Sequence, residues 1–310
     1  MNPVFLAIEI GGTKLQIVAS AQPPLIEDRF RAPIDPKAGA NGILQSLEKG
    51  LAAILKDRVT RAVGIGFGGP VDRRRARVAC SHHVQGWDGF PLGDWIRDRC
   101  QAPVAMENDA NVAALAEALH GAGKASNPVF YTTLGSGVGG GLVLDGTIYH
   151  GAYPGESEIG HLRLDRSGPI LEHACSGWAV NRKVREAAER APSSLLASLV
   201  RETKGPEALA LGPALTKGDA LAREILASTA DDLAFGLSHV THLQHPEIIV
   251  LGGGLSLLGE PLRLSVSEAL PRYLMEIMLP PPLIRLALLG EDVVPVGALA
   301  LAEQIAPKAI

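Results

Sequence analysis

A chain of 310 residues hides roughly three quarters of its unfolded surface, enough for two lobes with a shared cleft, and 46% hydrophobic residues with 35 glycines suit an α/β protein with many tight turns. A net charge of -4 and a pI near 6.1 exclude a general attraction for nucleic acid or anionic membrane. Cys80, Cys100 and Cys175 form no C-x-x-C pair, Met1-Asn2-Pro3 opens no secretory signal, and the longest apolar run, residues 248–259, is too short and too rich in glycine to span a bilayer, so a cytoplasmic protein is expected.

Taken in chain order, Val4-Phe5-Leu6-Ala7-Ile8-Glu9-Ile10-Gly11-Gly12-Thr13-Lys14-Leu15-Gln16-Ile17-Val18 predicts a strand, a Gly-Gly turn and a second strand. The bare tip reads either as a plain turn or as main-chain N–H groups able to close on a phosphate, with the Thr13 hydroxyl and the Lys14 cation beside them. Residues 43–55 predict an amphipathic helix, and residues 63–67 a strand entering the turn at Gly68-Gly69-Pro70. The only dense basic run, Asp72-Arg73-Arg74-Arg75-Ala76-Arg77, reads as a solvated hairpin tip. A loop follows, Cys80-Ser81-His82-His83-Val84-Gln85-Gly86-Trp87, whose histidines are either exposed or line a pocket.

Glu107-Asn108-Asp109-Ala110-Asn111 puts an amide and a carboxylate just ahead of an alanine-rich helical run that Gly121 stops. Asn108 or Asp109 there suits a helix N-cap, and Asp109 equally suits a base waiting for a hydroxyl. Residues 128–144 repeat the opening pattern of strand, glycine tip and strand, as a duplicated lobe would. Gly135, Gly137 and Gly140 also satisfy G-x-G-x-x-G, but a dinucleotide turn needs a helix next, and Gly141-Leu142-Val143-Leu144-Asp145-Gly146 gives a strand and an Asp-Gly turn instead. Residues 178–190 and 220–243 carry helical periodicity, with Pro192 and Pro206 between them. Pro246-Glu247-Ile248-Ile249-Val250-Leu251-Gly252-Gly253-Gly254 reads as a buried strand whose three glycines either make a tight turn or let the backbone lie against a base or ribose. Three glycine tips and one helix-start carboxylate fit a nucleotide held between two lobes.

Six ordered segments together resemble the ROK family (repressors, open reading frames, kinases) of sugar kinases, within the actin-like ATPase superfamily. Residues 8–14 resemble its first phosphate motif, 64–72 the segment before the sugar loop, 107–111 the catalytic motif, 134–141 the second phosphate motif, Glu158-Ile159-Gly160-His161 the sugar motif, and 251–254 the adenosine motif. The resemblance implies a two-lobed α/β fold of duplicated ribonuclease H-like design with an interlobe cleft. It implies lobes of 1–119 plus 292–310 and of 120–291, with residues 291–302 closing back on the first. It implies that Asp109 takes the proton of a sugar hydroxyl as the γ-phosphoryl of ATP arrives, with Gly69, Asn108, Glu158, His161 and Glu172 on the other hydroxyls. Glu9, Gly11, Gly12, Thr13, Lys14, Gly135, Ser136, Gly137, Gly253 and Gly254 would hold the nucleotide, with Mg²⁺ near Glu9.

Two departures from the family stand out. Most members carry three zinc-binding cysteines after the Gly-His pair, whereas residues 162–170 hold none, so no structural zinc is expected. Glu9 stands where most members have Asp, and its plainer reading is an acid on the solvent side of an edge strand. The expected activity is phosphorylation of a hexose, most simply glucose at its 6-hydroxyl, by a cytoplasmic homodimer that binds sugar and ATP and neither nucleic acid nor membrane. N-acetylmannosamine, fructose, allose or mannose as acceptor, and polyphosphate as donor, stay open, as does a sensor that no longer transfers phosphate. The family's repressors carry a helix-turn-helix ahead of the first motif, and only three residues precede Val4.

Overall fold

Two apolar runs on either side of a Gly-Gly tip fold the first residues into an antiparallel hairpin, and the rest of the first sheet is laid beside it. The computed structural model describes residues 3–56, 58–80, 84–153 and 157–307. Its strands and helices follow in chain order as β1 (Val4–Ile10), β2 (Lys14–Ser20), β3 (Asp28–Pro33), α1 (Gly39–Leu55), β4 (Thr60–Phe67), β5 (Val71–Asp72), β6 (Arg77–Val78), α2 (Leu92–Cys100), β7 (Val104–Asn108) and α3 (Asp109–His120). Then come β8 (Val129–Leu134), β9 (Val138–Leu144), β10 (Thr147–Tyr149), α4 (Leu171–Cys175), α5 (Gly177–Arg190), α6 (Leu195–Glu202), α7 (Leu211–Thr216), α8 (Ala220–Gln244), β11 (Ile248–Gly252), α9 (Glu260–Ala269), β12 (Leu283–Leu286) and α10 (Val293–Ile305). Two compact units result, one of Met1–Lys124, Gly146–Ile148 and Leu289–Ile310, the other of Ala125–Asp145 and Tyr149–Leu288.

The first unit holds a sheet of order β3-β2-β1-β4-β7, with β1 antiparallel to β2 and parallel to β4. Because β1 lies inside the sheet, both of its faces are covered, and alternate side chains feed two different layers. Leu6, Ile8, Leu15 and Ile17 meet Ile43, Leu47 and Leu51 of α1, whose apolar residues recur on one face. Phe5, Ala7, Val18 and Ala62 meet Val112 of α3 and Ala298, Leu299 and Ala302 of α10. Each large side chain so buried contributes about 1.5–3 kcal/mol. Glycine sets how near α10 comes: a Cβ on Gly64 of β4 would overlap Ala298 O, and one on Gly297 would overlap Val112 O.

The reading of Glu9 as an acid facing solvent from an edge strand is corrected by this topology. Glu9 is 8% exposed and points to the face that α3 and α10 cover, because β4 occupies what an edge would leave open. The basic run does form the tip of the small β5–β6 hairpin, with Arg74, Arg75 and Arg77 exposed.

In the second unit the sheet order is β10-β9-β8-β11-β12, with the β8–β9 hairpin antiparallel and β8, β11 and β12 parallel, the same scheme as the first. The Asp145-Gly146 turn carries positive φ at both residues, as a tight hairpin after β9 requires. One apolar cluster joins Phe130, Leu134 and Leu142 to Val180 and Val184 of α5, Leu233 and Leu237 of α8 and Leu262 of α9. Among the described residues no helix is long and apolar enough to cross a membrane.

Candidate active site

Asn108 is the N-cap of α3: its Oδ1 accepts from Ala110 N at 2.9 Å, and its Nδ2 donates to Gly69 O at 3.2 Å. One amide therefore starts the helix and pins the Gly68-Gly69 turn beside it. Asp109 is the first helical residue. A Cβ added to Gly68 would stand 3.3 Å from Asp109 Oδ2 and 3.3 Å from the Cα of Gly11, so the carboxylate and the first glycine tip flank Gly68. Burial pushes the Asp109 carboxyl up to about 6, with the Ala110 amide pulling it down and the charge of Glu9 pushing it further up. A carboxyl tuned near neutrality suits general-base work.

Across the hairpin from that tip, Glu9 receives a short hydrogen bond from Gln16 Nε2 on one oxygen, and Lys14 Nζ lies 3.4 Å from the other. Gly12 and Thr13 are exposed at the turn, where Gly11 N donates to Lys14 O at 3.0 Å. A buried carboxylate at the end of the strand that leads into this turn is a hard-oxygen donor of the kind that fits Mg²⁺ arriving with phosphates.

In the second unit the turn from Leu134 to Val138 is the hub. Glu172 Oε2 accepts from Val138 N at 3.0 Å, and Gly177 N, at the start of α5, donates to Gly135 O at 2.7 Å. Gly253 has φ +80°, and a Cβ there would stand 2.6 Å from Leu134 N, so the third glycine tip packs directly on the second. Gly160 packs against Val138 O, which brings the short 3₁₀ turn Ile159–His161 alongside. Glu158 and His161 are exposed and lie 3.8 Å apart between His161 Nδ1 and Glu158 Oε2. Ser136 and Gly254 are exposed on the same turns.

Two parts of the site escape sequence reasoning. Gln16 reads only as a polar interruption of an apolar strand, and its link to Glu9 emerges once β1 and β2 are paired residue by residue, Glu9 against Gln16. Trp87, at the end of the loop whose histidines read as either exposed or pocket-lining, is fully buried against Phe67 and Phe90. His82 and His83 lie outside the described residues.

Among the described residues no group of three or more His, Cys, Asp or Glu is arranged to hold a metal ion. Cys175 is buried, with its Sγ 3.5 Å from Thr229 O, and burial pushes its thiol up. The segment after His161 is closed by main chain: Leu164 N bonds Pro169 O at 3.1 Å, Leu171 N bonds Leu162 O at 2.8 Å, and Asp165 accepts from Ser167 N at 2.7 Å. A structural zinc contributes folding free energy outright. The expected result is a melting temperature unchanged by a strong chelator and elemental zinc far below one per chain; a chelator-induced drop in melting temperature would reverse this expectation.

The ROK family model matches residues 5–305. The chain is 29% identical over 278 residues to the glucokinase of Thermotoga maritima, covering 87% of this chain and 88% of that one. It is 29% identical over 307 residues to the glucokinase of Halalkalibacterium halodurans, covering 94% and 93%. Among solved structures, a ROK family glucokinase from Streptomyces griseus in complex with glucose and AMPPNP matches with a TM-score of 0.83 at 29% identity, over 97% of this chain and 99% of that chain.

Proposed function

We propose, on the premise that the chain belongs to the ROK family and shares its actin-like ATPase fold, that it is an ATP-dependent hexose kinase with glucose as its preferred acceptor. The observation that carries this reading is Asp109: a carboxylate at the head of α3, beside Gly11, with its ionisation raised to about 6. Above that pH it accepts the proton of the attacking sugar hydroxyl while the hydroxyl oxygen bonds to the γ-phosphorus and ADP departs with the former bridging oxygen.

The remaining residues bind and orient. The Gly11-Gly12-Thr13-Lys14 turn in one unit and the Gly135-Ser136-Gly137 and Gly253-Gly254 turns in the other offer main-chain donors to phosphates and flat backbone to adenosine. Glu9 would help hold Mg²⁺ arriving with ATP, and that ion would neutralise phosphate charge. Asn108 keeps one amide proton beyond its bond to Gly69 O and can give it to a sugar hydroxyl. Glu172 has its second carboxylate oxygen, and Glu158 and His161 are exposed, so each can meet a hydroxyl.

The test is ADP release coupled to sugar phosphate formation across glucose, mannose, fructose, allose and N-acetylmannosamine, with ATP and then polyphosphate as donor. The expected outcome is ATP-dependent turnover with the highest kcat/KM for glucose. ATP consumption that does not respond to any hexose would end the kinase reading, and a higher kcat/KM for another hexose would replace the acceptor alone.

A further inference from the structure

Three neighbouring strands carry one polar row through an otherwise apolar layer. Glu9 of β1 is paired with Gln16 of β2, and Gln16 is paired with Arg31 of β3. The hydrogen bonds follow the pairing. Gln16 Oε1 accepts from Arg29 Nη1 at 3.1 Å and from Arg31 Nε at 3.2 Å. Two cationic donors on the oxygen fix which way the amide points, because only Nε2 can then face the carboxylate of Glu9. Arg29 is itself held, by Asp292 Oδ1 at 2.6 Å just before α10. Gln16 is 1% exposed, so its rotamer is locked by packing as well as by these bonds.

From this row we infer that Gln16 is a positioning residue for Glu9. The inference rests on the proposed nucleotide role of Glu9. A glutamate has one more rotatable bond than an aspartate, and its head group samples more positions. Gln16 removes that freedom by taking Oε2, which leaves Oε1 on the side of Lys14, the residue that closes the glycine turn, 3.4 Å from its Nζ. A valine or isoleucine at position 16 would continue the strand pattern of Leu15, Ile17 and Val18 but would leave a buried carboxylate short of a donor. Hydrogen bonds to charged groups of this kind are among the stronger ones in proteins.

The decisive variant is Gln16→Glu. It keeps the size of the side chain and an acceptor for Arg29 and Arg31, but it turns the donor facing Glu9 into a second carboxylate. The expected result is a folded protein with a lowered melting temperature, a dissociation constant for Mg²⁺·AMPPNP by calorimetry raised about 10- to 100-fold, a parallel rise in KM for Mg²⁺·ATP, and an unchanged KM for the sugar. Gln16→Met, of similar length and without polar atoms, is the second variant and should weaken Mg²⁺·AMPPNP in the same direction. Wild-type affinity for Mg²⁺·AMPPNP in either folded variant would overturn the inference, as would a loss shared equally by sugar and nucleotide. If the wild-type protein binds Mg²⁺·AMPPNP but phosphorylates no sugar, the kinase reading falls, and the calorimetric comparison alone decides the role of Gln16.

Discussion

Asp109→Asn should lower kcat by about 10²- to 10⁴-fold and at the same time make the protein harder to unfold near neutral pH. The two effects share a cause. Burial lifts this carboxyl from its ordinary 3.8 to about 6, so between those values the folded protein holds a proton that the unfolded chain has released. The protonated form therefore stabilises the fold fully below pH 3.8, and this contribution is lost as pH rises through about 6. At neutral pH the charged carboxylate costs up to about 3 kcal/mol at 1.36 kcal/mol per pKa unit. Asparagine fills nearly the same space without the charge. Its melting temperature should exceed that of wild type most at neutral and alkaline pH and converge with it in acid. The wild-type kcat/KM should in turn rise with pH through about 6. Retention of more than about a tenth of wild-type turnover by the Asn protein would strip Asp109 of its role as base, whereas a variant less stable than wild type at neutral pH would contradict the burial argument alone.

Glu117→Ala should damage the fold markedly although it lies outside the apolar core. This carboxylate is fully buried at the end of α3, and it accepts from Ala122 N at 2.7 Å and from Leu289 N at 2.9 Å. Alanine would strand both amides in a space no longer filled by the side chain. An unsatisfied buried donor costs about 1–3 kcal/mol, and the Leu289 amide, being only part-buried, adds less, so a loss of roughly 2–3 kcal/mol is expected in urea unfolding. A loss below about 1 kcal/mol would mean that other groups or water serve those amides equally well. The two bonds of Glu117 tie the residues just after α3 and those leading into α10 to the same helix, all within the first unit.

What the sequence discloses here is local pattern, and what it hides is adjacency. The hairpins of β1–β2 and β8–β9 follow from apolar runs interrupted by glycines, and α3 from its alanines and its Asn108 cap. The surroundings of Glu9 do not follow, because whether a strand is at an edge or inside depends on residues far along the chain, here β4. Gln16 and Glu117 look like a polar break in a strand and an ordinary helix former until their partners arrive from β3 and from the approach to α10. Trp87 closes a stretch that reads as a loop from Gly86 and the histidines before it, yet its ring fills the space between Phe67 and Phe90. The position of Asp109 beside Gly11 rests on Gly68, a residue whose importance is the side chain it lacks.

The final helix has a bearing on biosynthesis. Phe5, Ala7, Val18, Ala62 and Val112 are all translated long before Ala298, Leu299 and Ala302, which cover them. A ribosome-bound chain that has finished α3 thus presents a greasy sheet face only part-covered by that helix, and it must keep that face from sticking to other nascent chains while some 170 further residues emerge. Stalled or prematurely terminated products of this message would be recognised by chaperones and proteases through that one incompletely covered surface.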